Sequence, residues 1–571
     1  MRKIRVFCAC VLLYATALHS QDRGQEKAML LLSGASSMEE LDEEVMERFH
    51  SLSVRPLRIN RLQADRLVAS GLFSRYQAAS LLDYRKRSGD ILSASELALV
   101  DGFNEETAEA LRSFVSFEPS VIPGQKADME NPVEAETLTR MGIREQAGAV
   151  SWNYAVKLKT EVEERWSVAL AAKCPYDADK WPPESLSGSA ALYGRGGRWI
   201  LLAGDFNARF GQGLLCWTGF SLTGAHSASS FAKHPSGISQ VWTVSPSAAK
   251  RGIAGEITFG RLVLSSFWAR GSISGANLTW LAAYGQLGFT AVTPGRVSAD
   301  WRWSLGKFDV FGEAACDVVG KATAGVAGIS YNPEYKSCIS ALVRSYAPSY
   351  DGTGAGAFRS STKTSDEYGA ALAVDFRNLA FTVDAAFHPS KGTSQHKAVI
   401  KYNAALSGST GIAFRLTSRF RPEDDHEWRN EARLELEYSP SVRIPMKLCA
   451  DVCRCDGWSW LSFAEAGYRH EASDRVFYAY GRLTVFGVDD WDDRIYVYER
   501  DIPGSFSAPA YYGRGLSLSL VLSYKKNRKW TVNGRLASVQ YPMMDGEKDG
   551  KVEARVQLLR NLQFHPRFDV R

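Results

Sequence analysis

The chain has 571 residues, of which 45% are apolar, 11% aromatic and 23% charged, so it is neither a disordered nor a collagen-like sequence. Its 68 Lys and Arg against 63 Asp and Glu leave a net charge of +5, too little for overall charge to point to a polyanionic partner. Beyond the first twenty residues no apolar run reaches about 18, which excludes helical membrane spans but not a transmembrane β-barrel, whose strands carry a weaker signal.

Residues 1–20 read as an export signal. Arg2, Lys3 and Arg5 form a basic start, Val6 to Ala17 is mostly apolar, and Ala17-Leu18-His19-Ser20 is an acceptable cleavage site before Gln21. An apolar core this short is not expected to persist as an anchor. Its loss removes three basic residues with Cys8 and Cys10, leaving Cys174, Cys216, Cys316, Cys338, Cys449, Cys453 and Cys455. The spacing of Cys449, Cys453 and Cys455 fits no standard zinc knuckle and no His lies among them, so no metal is expected. A disulfide and free thiols both stay open.

Residues 21–118 read as a small helical domain. Leu41, Val45 and Phe49 share one helix face, with Ser36 or Ser37 as cap and acidic residues in the first turn. Two similar units follow, 57–91 and 92–115, each a short helix, a tight turn with one glycine (Gly71, Gly102) and a second helix. Ile59-Asn60, Ala64, Ala79, Leu82, Tyr84-Arg85 and Gly89, then Leu97, Gly102 and Leu111, resemble the paired helix-hairpin-helix repeat of the competence DNA-uptake protein and its secretion-system relatives. The resemblance implies that amides of each hairpin loop hold a DNA phosphate. That family's loop commonly reads glycine, hydrophobic, glycine; here the loops are Gly71-Leu72-Phe73 and Gly102-Phe103-Asn104, without the second glycine. Candidate phosphate contacts are Arg58, Arg61, Arg66, Gly71, Arg75, Arg85, Lys86, Arg87 and Gly102.

Charge divides the two units. Arg55 to Arg87 holds eight basic and two acidic residues, whereas Ser88 to Glu118 holds seven acidic and one basic. Phosphate binding wants a continuous positive surface, and only the first unit offers one. A docking or structural role therefore competes with DNA binding, and the two halves are suited to pair with each other.

Residues 119–148, punctuated by Pro119, Pro123, Gly124, Pro132, Gly142 and Gly148, read as a linker. From 149 to 571 the period becomes two. Ala432, Leu434, Leu436 and Tyr438 alternate with Glu431, Arg433, Glu435 and Glu437, and 379–387, 397–406, 516–525 and 551–558 alternate likewise. Trp301, Trp303, Trp458, Trp460, Tyr478, Tyr480, Tyr496 and Tyr498 sit near strand ends, as interfacial girdles require. Short connections are expected at Arg377-Asn378, Gly408-Ser409 and Pro440-Ser441, and longer loops at 217–237, 348–365, 389–395, 421–428 and 500–511. The expected fold is thus a small N-terminal helical domain of two helix-hairpin-helix units followed by a large antiparallel outer-membrane β-barrel of roughly 18–24 strands. The end of the chain carries Phe568 near, but not at, its last position.

The segments 204–219, 496–504 and 511–515 resemble the barrel half of uncharacterised helix-hairpin-helix outer-membrane proteins of Bacteroidota, which implies architecture and compartment rather than activity. Gly211, Gly213, Gly513 and Gly515 read as kinks or places where a loop packs on the wall. Arg209, Gln212, Glu499, Asp501 and Arg514 are candidates for one ionic cluster in the lumen.

No G-x-S-x-G, H-E-x-x-H or P-loop occurs, so no enzyme is expected, and no cofactor. The histidines are scattered, and Asp489 to Asp493, interrupted by Trp491, reads as a solvated turn rather than a calcium loop. The expected setting is the Gram-negative outer membrane, with lipid around the barrel and the helical domain in the periplasm. Two functions compete. In one, the domain docks a periplasmic protein or plugs the lumen of a structural, assembly or transport barrel. In the other, it receives DNA during uptake.

Overall fold

The computed structural model describes residues 21–564 except 121–132, 163–164, 195, 223, 225, 247, 334–336, 425, 442, 473, 528, 543 and 545–547. The export signal, part of the linker, Asp425, His565 and Phe568 lie outside the described residues.

Period-two sequence makes one wall. A closed barrel of 24 spanning strands runs from Val133–Gln146 to Lys551–Phe564, and these two strands pair antiparallel to shut it. Closure leaves no free edge, the condition for a sheet to span a bilayer. The first strand corrects the expected boundary. Residues 133–146, taken as linker, pair on both sides, with Lys551–Phe564 and with Ala149–Val162. Gly142 hid the pattern: it faces inward, where a side chain would strike Asn153 and Tyr176.

Alternation now has a direction. In Trp428–Ser441, Leu434 and Tyr438 face outward and are 46% and 44% exposed, whereas Arg433 faces inward at 4%. Leu158, Leu264, Phe289, Leu372, Leu483, Leu520 and Val556 continue the outward apolar surface around the barrel. An apolar exterior around a polar interior inverts a soluble protein and is that of a transmembrane β-barrel of the outer-membrane type. Of the expected girdle aromatics, Trp458 and Trp460 are exposed at strand ends, but Tyr480 and Tyr498 face the lumen, where Arg500 and Phe506 cover them.

The two ends differ. At the end carrying Val133 and Phe564, connections are short, such as Gly260-Arg261, Gly306-Lys307 and Arg377-Asn378. At the other end lie the long ones: 175–184, 210–249, 347–366, 421–427, 489–512 and 541–550. The turn expected at Pro440-Ser441 falls later, because the strand runs on to Ser441 after an irregularity between Tyr438 and Ser441.

Three long loops fold back inside. Loop 210–249 carries a four-residue strand, Gly237–Gln240, paired to Phe206–Arg209. Its Leu214, Leu215, Cys216 and Phe231 join Phe358 of loop 347–366 in an apolar cluster with wall residues Phe206, Phe267, Phe311 and Tyr346. Loop 489–512 forms a small hairpin whose Ile495, Val497 and Tyr511 pack on Cys449, Cys453, Phe463 and Phe486. All seven described cysteines are free thiols. The strand holding Cys449 and Cys453 ends at Arg454, so Cys455 lies in the turn.

The helical part comprises α1 (Gln21–Ser33), α2 (Glu43–Val54), α3 (Ala64–Ala69), α4 (Arg75–Ser88), α5 (Ala94–Leu97) and α6 (Glu105–Leu111). A short 3-10 turn, Met38–Glu40, precedes α2. The cap of α2 is Asp42, not Ser36 or Ser37: its Oδ1 accepts from the Val45 amide at 2.8 Å. Leu41, Val45 and Phe49 are buried as expected. A parallel pairing of Leu57–Arg58 with Val115–Ser116 ties the segment together. Buried Asn60 adds a clasp, donating to the carbonyls of Ile91 (2.8 Å) and Glu118 (2.9 Å).

Candidate functional site at the seam of plug and wall

Acidic side chains crowd the start of α2, and every one of them meets the lumen. Glu43 pairs with Arg140 at 2.6 Å and with Lys173; Glu44 lies 3.5 Å from Arg209; Glu47 lies 2.7 Å from Lys157. Just before the helix, Glu39 pairs with Arg433 and lies 3.7 Å from Arg415, while Glu40 lies 3.0 Å from His226 Nδ1. The segment from Glu39 to Glu47 is therefore held from several sides by wall and inward loop. It sits inside the barrel.

Burial costs a carboxylate more than it costs a neutral acid, so Glu39, Glu40 and Glu43 stay charged only because cations face them. Burial pushes the Glu39 carboxyl up, yet Arg433 and Arg415 hold it well below the usual range. For Glu40 the same opposition is won by His226, Lys397 and Lys401. Glu43, raised by burial but faced by Arg140 and Lys173, comes down to about 2. His50 goes the other way in charge: burial drives off its proton and brings it to about 4, with Glu136 opposing.

The inward loops complete the seal. Tyr498 donates its amide to Glu39 at 3.1 Å, Ser227 Oγ donates to the Gly34 carbonyl at 3.1 Å, and Arg500 pairs with Glu26 at 2.9 Å. Phe220, Leu222, Tyr498 and Phe506 pack on the apolar cluster around Val45, Phe49 and Phe114. Two small cavities remain along the seam, one between Glu47, His50, Lys157 and Gly504, the other between Glu44, Arg48, Gly71 and Trp242.

The basic face expected to meet phosphate is divided among other partners. Arg75 is buried in the wall: it donates to Asn277 (2.9 Å), Thr279 (2.8 Å) and Ser265 (2.6 Å) and pairs with Glu256. Arg66 pairs with Glu161 at 3.1 Å and lies over the Tyr193 ring. Arg55 pairs with Glu134 at 2.9 Å. These three guanidinium groups thus meet wall carboxylates instead of the acidic second unit, as charge alone suggested they would. Arg85 donates to the carbonyls of Ile59 (3.1 Å) and Leu62 (2.7 Å), bracing its own domain. Arg87 pairs with Asp83 at 2.7 Å on the surface, Lys86 is exposed, and Arg58 and Arg61 are half-buried.

Both loop glycines have positive φ, +73° at Gly71 and +87° at Gly102, as their turns require. The Arg48 guanidinium lies over Gly71, where a side chain would displace it, and the Tyr76 ring lies close against Gly102. The Gly71 amide donates to the Val68 carbonyl at 3.0 Å and the Phe103 amide to Val100 at 3.1 Å.

The expected lumen cluster separates into four places. Glu499 pairs with Arg535 at 2.6 Å and Asp501 with Arg555 at 2.7 Å, side by side. Arg209 goes to the Thr218 carbonyl (2.7 Å) and Glu44. Gln212 donates its amide to Glu313 at 2.7 Å. Arg514 pairs with Asp489 at 2.8 Å on the exposed rim, because outward and inward residues alternate and it falls on the outward set. The glycine reading fares better: a Cβ at Gly211 would meet the Glu313 carboxyl, and one at Gly213 would meet the backbone of Gly356 and Ala357. The acidic run also divides, since Asp493 is buried and accepts from the amides of Cys455 (2.7 Å) and Gly457 (2.8 Å).

Glu39, Glu40, Glu43, Glu44 and Glu47 were read only as a helix start. Six carboxylates within nine residues, Asp42 among them, was the available signal. Among the described residues no group of three or more metal-ligating side chains occurs.

No protein-family model matches the chain, and no curated protein does. Among solved structures it is similar to the P pilus usher (PapC) translocation pore, at 9% identity and a TM-score of 0.38, over 75% of this chain and 99% of that one. It is similar also to the outer membrane protein OprD from Pseudomonas aeruginosa, at 10% identity and 0.29, over 77% and 95%. A third likeness is to Acinetobacter baumannii OccAB4, at 9% identity and 0.30, over 77% and 100%. Scores this low carry no argument about cargo.

Proposed function

We propose that this protein is an outer-membrane transport barrel held shut by its own N-terminal helical domain. The plug enters through the end of short turns, which in bacterial barrels faces the periplasm. Its outer lobe, around α5 and α6, is the handle by which a periplasmic protein draws it. There Leu92 and Leu99 are 61% and 75% exposed beside Asp101, Glu105 and Glu109, a surface suited to an apolar contact with a basic rim.

The observation that carries this reading is the belt of ion pairs from Glu39 to Glu47. A plug whose faces were apolar would be a permanent core. One held by buried charges separates into two water-stable surfaces, because each ion regains hydration on release. Nucleic-acid uptake is the weaker reading, since Arg55, Arg66 and Arg75 are spent on the wall and the Gly71 and Phe103 amides on their own turns.

Ion conductance of the full chain in planar bilayers tests the proposal. The unaltered protein should be silent and the E39Q/E43Q/E47Q variant should conduct. Equal conductance with and without the three changes would sink the plug.

A further inference from the structure

The plug's charges are not spread evenly along the lumen. Its carboxylates lie deep. Glu43 and Glu47 face one arc of wall, carrying Arg140, Lys157 and Lys173. Glu39 and Glu40 face another, the strands Thr393–Ala405, Thr410–Phe420 and Trp428–Ser441. The register of these strands points Lys397, Lys401, Arg415, Arg419, Arg429 and Arg433 inward, against Glu431, Glu435 and Glu437. The wall supplies part of the countercharge itself, Glu136 to Lys157 at 2.7 Å and Asp451 to Arg433 at 2.6 Å. The rest comes from the plug.

Three of the plug's cations lie at the mouth. Arg55, Arg66 and Arg75 meet Glu134, Glu161 and Glu256, which stand within three residues of the strand ends Val133, Val162 and Phe259. Withdrawal of the plug would therefore uncover an acidic rim at the short-turn mouth and, beyond it, a basic belt with too few wall carboxylates to neutralise it. A charged ring between low-dielectric walls sets which ions pass.

We infer that the opened lumen selects anions, and that solutes bearing carboxylate or phosphate groups take the positions the plug's glutamates now hold. The inference rests on the plugged-barrel reading above. In that arrangement the segment from Glu39 to Glu47 is a built-in stand-in for cargo: its side-chain carboxylates occupy the guanidinium and ammonium groups until released.

The test is the reversal potential of E39Q/E43Q/E47Q channels in planar bilayers under a potassium chloride gradient. Chloride should be several-fold more permeant than potassium. Adding Arg415→Gln and Arg433→Gln should bring the ratio towards one. Channels that conduct with no preference, or prefer potassium, would overturn the inference and leave the plug reading standing. A folded variant barrel that passes no current would overturn the plug reading, and the inference with it. Should the triple variant fail to fold, brief openings of the unaltered chain in acid are read by the same measurement, with the same outcomes deciding.

Discussion

Lys157 is 2% exposed and lies 2.7 Å from both Glu47 of the plug and Glu136 of the wall. One ammonium thus balances two buried carboxylates. Replacing Lys157 by Met keeps the volume but removes the ammonium that both acids touch. Breaking a buried pair in this way costs about 3–5 kcal/mol, against about 0–1 kcal/mol for an exposed pair such as Arg87 with Asp83. Hydrogen exchange of the α2 amides should therefore rise sharply in Lys157→Met and stay unchanged in Arg87→Met. Equal protection in the two variants would mean that the seam is not held by charge. Lys157 stood in the sequence as one polar residue in an alternating strand, and no spacing marked it as the counterpart of Glu47, 110 positions away.

At the scale of an element, α2 is set by its cap. Asp42 ends the preceding extended backbone and accepts from the Val45 amide, which fixes where the helix begins and so which way Glu43, Glu44 and Glu47 point. Loss of such a cap costs roughly 1 kcal/mol. Asp42→Ala should speed exchange of the first-turn amides several-fold and raise the frequency of channel openings, with the wall strands unaffected. A variant that exchanges faster without opening more often would separate the helix start from the seal. The wall strands need no such device. Each is specified by its alternation, and a one-residue slip would put its charges into lipid.

For the whole molecule, acid is the natural key. The Glu43 carboxyl is depressed from 4.5 to about 2, so its contribution to docking is full above pH 4.5 and fades as pH falls towards 2. His50 is depressed from 6.5 to about 4, so the plug site binds fewer protons than released His50, and stability fades between those values as pH falls. Both signs agree. Open probability at fixed voltage should rise as pH is lowered from about 6.5, and again below about 4.5. An opening curve that is flat or falls with acid would show that neither group governs the seal. Raising salt should do little by comparison, because buried pairs are poorly screened.

Alternation over 400 residues determined a closed membrane barrel from the sequence alone, since lipid demands an apolar outside and a closed hydrogen-bonded edge. The helices around Gly71 and Gly102 and the buried helix face of Val45 and Phe49 were equally legible, because turn chemistry and helical period are local, whereas Leu41 is buried from the extended residues before the Asp42 cap. The exchange of partners was not. Arg55, Arg66 and Arg75 looked like a phosphate surface, and Arg209, Glu499 and Arg514 like one cluster, because sequence shows a charge without its neighbour. Only the tertiary structure brought Glu39 to Arg433, 394 positions apart, and Arg75 to Glu256, 181 apart. Pairings at that range are set by which strands stand beside the lumen where the plug comes to rest, and no local rule carries that information.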